Sequence, residues 1–146
     1  MGYGQSPQLK EFNRIYKEAD DMYHNLALRL GMSDSTLDIL YTICVMGDGC
    51  LQRDVCSLCC TRKQTVNSAI RKLEREGILT LTRGRGRDMH IVLTALGKQT
   101  VEEKIQPLLE AEERAFARIS PQEQAQLLAL NRNYFRQLQE EIEQLK

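Results

Sequence analysis

TRKQTVNSAIRKLEREGILTLTRGRGRDMHIVLT, residues 61–94, carries three elements in a telling order. Val66, Ala69, Ile70 and Leu73 recur at helical spacing, so a helix buries that side and turns a polar, basic one outward. Thr61 and Gln64, three residues apart, read as a capping box that opens it, and Gly77 stands where a helix closes. Two short β-rich runs follow, about 78–82 and 89–93, and they flank Arg83, Gly84, Arg85, Gly86 and Arg87. Helix, hairpin and cationic tip in this order predict a winged helix-turn-helix. Its helix fits the major groove of duplex DNA, and its tip fits the neighbouring minor groove.

The flanking sequence is helical. Leu9, Phe12, Ile15, Tyr16, Ala19, Met22, Tyr23, Leu26 and Leu30 predict a long amphipathic first helix that Gly31 ends. Ser33 or Asp34 caps a second, with Leu37, Leu40, Tyr41 and Cys44 on its apolar face and Ile39, Ile43 and Val45 widening it, which makes this helix central. A short third, about 51–59, turns Val55 and Leu58 inward. After the wing a long helix runs from Thr94 through Val101, Ile105, Leu108 and Leu109, with a kink expected at Pro107. Ser120, Pro121 and Glu123 form a second capping box, opening a last helix whose stripe is Leu127, Leu128, Tyr134, Phe135, Leu138, Ile142 and Leu145. The expected fold class is mainly α with a small β-hairpin, as a single domain over 1–146. Within it, 33–94 is the DNA-binding lobe, and 7–30 and 95–146 are dimerisation helices.

Charge supports the nucleic-acid reading only once it is mapped. The 146-residue chain has 20 cations and 20 acids, yet residues 51–93 hold nine cations against four acids. That segment is therefore +5 and the rest −5, a basic module among acidic helices. The outward side of the helix offers Arg62, Lys63, Gln64, Thr65, Asn67, Ser68 and Arg71. Gln and Asn pair with adenine and Arg with guanine, each good pair discriminating by roughly 1–3 kcal/mol. Arg83, Arg85 and Arg87 suit a narrow, electronegative minor groove, with glycines allowing close approach. A disordered Arg-Gly tract is the rival reading, but such tracts do not sit between two β-branched strands.

Five cysteines, Cys44, Cys50, Cys56, Cys59 and Cys60, crowd one stretch, and the odd number fits a reducing cytoplasm better than a disulfide framework. If the third helix persists, Cys56, Cys59 and Cys60 share a face. They then form either a redox switch or, the favoured reading, small buried hydrophobes. Zinc would need a fourth ligand, and His24 and His90 are far off in sequence, so no metal or cofactor is expected. Tyr16, Tyr23, His24 and Tyr41 are candidates to line a pocket for a small aromatic effector, against the plainer role of packing. Hydrolase, phosphate-loop and zincin motifs are all missing, which argues against an enzyme. No apolar run approaches the ~20 residues that span a bilayer, so no membrane partner is expected.

Thr65-Val66-Asn67, Leu73-Glu74-Arg75-Glu76-Gly77-Ile78-Leu79 and Val92-Leu93-Thr94-Ala95-Leu96-Gly97 resemble, at the correct mutual spacing, the MarR family of bacterial transcription regulators. The likeness covers nearly the whole chain. That family's wing carries Asp-x-Arg ahead of Leu-Thr. Here Arg87 falls on the arginine, Arg85 stands in place of the aspartate, and Asp88 lies close by. The resemblance implies a homodimer on a palindromic double-stranded operator, acting as a repressor released by a phenolic or oxidant signal. A cysteine-based redox regulator is the alternative, and a winged-helix module for RNA or protein contacts is a third class.

Overall fold

The computed structural model describes residues 3–59 and 62–145. Two compact units divide between Gln106 and Pro107. The first unit holds α1 (Pro7–Leu30), α2 (Asp34–Met46), α3 (Gln52–Leu58), α4 (Lys63–Arg75), β1 (Leu79–Arg83), β2 (Met89–Leu93) and α5 (Ala95–Thr100). A π-helical turn over Val101–Ile105 follows. The core holds Ile39, Leu40 and Ile43 of α2 with Val55, Val66, Ile70, Leu79, Ile91 and Ile105, all essentially inaccessible to solvent. Helix α2 touches α1, α3, α4 and the π turn, the central place its wide apolar face predicts. Val45 is not part of that face: it is 63% exposed.

Local chemistry sets the boundaries. Ser33 caps α2, its Oγ accepting from the Thr36 amide at 3.1 Å. At the end of α4, Gly77 takes φ 76°; its amide donates to the Glu74 carbonyl, and the Ile78 amide donates to that of Leu73. That pattern satisfies two otherwise orphan carbonyls and needs a residue at ease with positive φ. Thr61 and Cys60 lie outside the described residues, so Thr61's part in a capping box does too. The N-cap position is Arg62, one residue later than expected, with no side-chain capping bond.

Strands β1 and β2 pair antiparallel, Leu79 opposite Leu93 and Arg83 opposite Met89. Thr94 joins the hairpin to α5: its hydroxyl donates to the Ile78 carbonyl (3.0 Å) and accepts from the Gly97 amide (3.0 Å). Gly97 is buried against Ile78, and a Cβ there would collide with the Ile78 carbonyl oxygen. A π turn lies just before Pro107, where a kink was expected, and there the Gln106 amide reaches back to the Val101 carbonyl. Proline has no N–H for the helical ladder, and a widened turn accommodates the break.

The second unit begins at Pro107, in the first turn of α6 (Gln106–Ala117), and continues into α7 (Pro121–Glu143). Ser120 caps α7, its Oγ accepting from the Glu123 amide as the capping box predicts and donating to the Glu123 carboxylate at 2.8 Å. Neither helix has a fully buried residue. Among the described residues no helix is long and apolar enough to cross a membrane.

Candidate nucleic-acid interface

Helix α4 is amphipathic about a sharp divide. Val66, Ala69, Ile70 and Leu73 are buried; Arg62 before its first turn, and Lys63, Gln64, Thr65, Ser68 and Arg71, are exposed. Asn67 does not join them. It is half-buried, its Oδ1 accepting from Gln52 Nε2 at 3.1 Å and lying 3.4 Å from the Cys56 thiol. It faces α3, which corrects its expected place among the outward residues. At about 100° per residue, position 67 falls on the flank of the helix and not on its crest.

The wing presents Arg83, Arg85 and Arg87, all exposed. The Gly84 amide donates to the Asp88 carbonyl and the Asp88 amide to that of Arg85, closing a turn on Gly86 at φ 61°. Gly84 is needed for another reason than a positive φ: a Cβ there would come within 2.7 Å of His90 Nε2. Among the described residues, Arg62, Lys63, Arg71, Arg83, Arg85 and Arg87 enter no ion pair, so their charge is available to an outside anion. Lys63 and Arg87 both line a groove of about 220 Å³, and Gln52, Arg53, Cys56, Asn67, Asp88 and Met89 form the rest of its wall. The groove thus joins the start of α4 to the wing. Arg53, counted in the basic segment but given no role, pairs with Asp88 at 3.1 Å. Asp88 therefore serves α3 and not a neighbouring wing arginine. No sequence motif marks this pair, because its members are 35 residues apart.

Cys56 and Cys59 do not share a helical face. Helix α3 ends at Leu58, and Cys59 is extended. That turns the Cys59 thiol inward, 3.4 Å from the Thr42 hydroxyl, and leaves Leu58 63% exposed where an inward residue was expected. Burial pushes the Cys59 and Cys44 thiols up to about 11. Burial also raises Cys56, with nearby Lys63 opposing it, and Cys50. None of the four has the lowered pKa that makes a thiolate reactive at neutral pH.

Tyr16 and Tyr23 are about two-fifths exposed on α1, Tyr41 is half-buried on α2, and His24 Nδ1 binds Asp34 at 2.9 Å. None of them lines the 220 Å³ groove, a cleft of about 300 Å³ at the α1–α2 turn, or one of about 430 Å³ along α1.

Residues 30–87 match the family model described as MarR family. Among solved structures, NMB1585 of Neisseria meningitidis, a MarR family regulator, superposes with TM-score 0.81 at 18% identity, covering 97% of this chain and all of the other. MepR of S. aureus, in a DNA complex, gives 0.68 at 21% identity, covering 92% and 99%. PcaV of Streptomyces coelicolor, a transcriptional regulator bound to its natural ligand, gives 0.64 at 18%, covering 90% and 96%. Among curated protein sequences, none matches the chain.

Proposed function

We propose that this chain is a transcriptional regulator of the MarR family, a sequence-specific repressor working as a homodimer on a palindromic operator; the family match over residues 30–87 and the shared fold support this. The observation that carries the reading is a cationic surface with two parts: the outward side of α4 and the wing tip, whose six free cations have no ion-pair partner among the described residues. Neutralising phosphates is what such unpaired cations do best, and it supplies most of non-specific affinity. Gln64, Thr65, Ser68 and Arg71 stand where base edges would be read. Release by a small aromatic molecule belongs to the same proposal; that PcaV, a regulator with this fold, binds a natural ligand supports control by a ligand. The cytoplasm is the compartment that offers both duplex DNA and reduced thiols.

Selection of bound duplexes from a genomic pool, followed by titration against random duplex and RNA, tests this. Preference for a palindromic duplex is expected. Arg87→Ala should then weaken operator binding by roughly tenfold and lower the salt slope by about one. Equal affinity for RNA and duplex would instead favour an RNA or protein-interaction module.

A further inference from the structure

The wing is fastened to the chain that precedes α4 at three levels. At its base the Leu93 amide donates to Asp48 Oδ1 at 2.8 Å. Midway, His90 Nδ1 donates to the Gly49 carbonyl at 2.8 Å, beside backbone bonds that link Ile91 to Gly49 and Cys50. Nearest the tip, Arg53 holds Asp88 at 3.1 Å. The residue before Arg53 does the same for the other half of the interface: Gln52 donates to Asn67 of α4. Two adjacent residues of α3 thus hold one DNA-facing element each.

Asp88 makes this informative because its charge has the wrong sign. It is the only acid between Glu76 and Glu102, and it closes a tip otherwise made of arginines. Beside phosphates, a carboxylate alone would reduce affinity. We propose that Arg53 and Asp88 are positioning residues for DNA binding: the pair fixes the wing tip relative to α4, so that Asp88 strengthens operator binding despite its charge. This rests on the DNA-binding reading above. Neither residue needs to touch DNA for it to hold.

The two accounts of Asp88 predict opposite signs. Asp88→Asn removes a negative charge; if charge alone counts, it binds operator and random duplex more tightly. If the pair positions the wing, D88N and R53A lose roughly three- to tenfold on the selected operator while D88N holds or gains on random duplex. The double variant R53D/D88R keeps the net charge, reverses the pair, and should recover most of the loss seen in R53D. Amide hydrogen exchange on the DNA-free proteins reads wing order directly, and the Gly84 and Asp88 amides should exchange faster in D88N than in wild type. Operator binding by D88N equal to or tighter than wild type overturns the proposal, as does a double variant no better than R53D. Should wild type select no duplex at all, the DNA-binding reading fails. The exchange data then decide the clasp alone: faster exchange in D88N supports it, and unchanged exchange overturns it.

Discussion

Cys59 ends α3 with its thiol against Thr42, and that single placement makes a prediction about pH. Its folded pKa, about 11, lies above the ordinary value because burial penalises the thiolate. The unfolded chain therefore loses this proton first as pH rises. The contribution is intact below the unfolded pKa of about 8.5, falls as pH climbs toward the folded value, and is lost above it. Urea unfolding should show wild type losing more stability between pH 8 and about 10.5 than Cys59→Ala does. That variant should also cost about 1 kcal/mol at neutral pH for the lost packing. Parallel pH profiles for the two proteins would mean that the thiol is not held as described. Asn67 marks where reading one residue at a time stops: its polarity fits either side of an amphipathic helix, and only the Gln52 side chain opposite decides which.

Helices and strands were largely legible because their signals are local. The stripe of Val66, Ala69, Ile70 and Leu73, the closing Gly77, the capping of α7 by Ser120 and the β2 limits at Met89 and Leu93 all follow from neighbours a few residues away. Illegible were features set by distant partners: the Arg53–Asp88 pair, the inward turn of Cys59, and the π turn before Pro107. Two glycines separate these kinds of constraint. Gly77→Ala meets no neighbouring atom, so only its positive φ opposes it, and about 1 kcal/mol should be lost. Gly97→Ala adds a good helix former yet drives a Cβ into the Ile78 backbone, and about 2–3 kcal/mol should be lost. Chemical denaturation of both variants checks the order. A Gly97→Ala protein as stable as wild type would mean that strand and helix separate without cost.

Two recognition helices enter successive major grooves only if held about 34 Å apart, or a multiple of it. No element inside the winged lobe sets that distance, so the proposal assigns it to the terminal helices of paired chains. Leu128, Phe135, Ile142 and Leu145 of the second unit stay 43–76% exposed in the single chain, and Ile15 and Met22 of α1 are 55% and 66% exposed. Apolar stripes of this kind are covered when identical helices pair about a two-fold axis. Deleting residues from Leu138 onward should leave a monomer or an aggregate that keeps weak, salt-sensitive affinity and no operator preference. A truncated protein that sediments as a dimer and binds normally would sink the arrangement. The fastening of the wing has a consequence in time as well. Its two strands pair residues no more than 14 apart, whereas Asp48–Leu93 and Gly49–His90 span 45 and 41. Closing spans of that size costs chain entropy before any bond rewards it, and a lone two-stranded hairpin is marginal in water. During refolding the wing is therefore the last part of its lobe to lock, and under stress the first to let go.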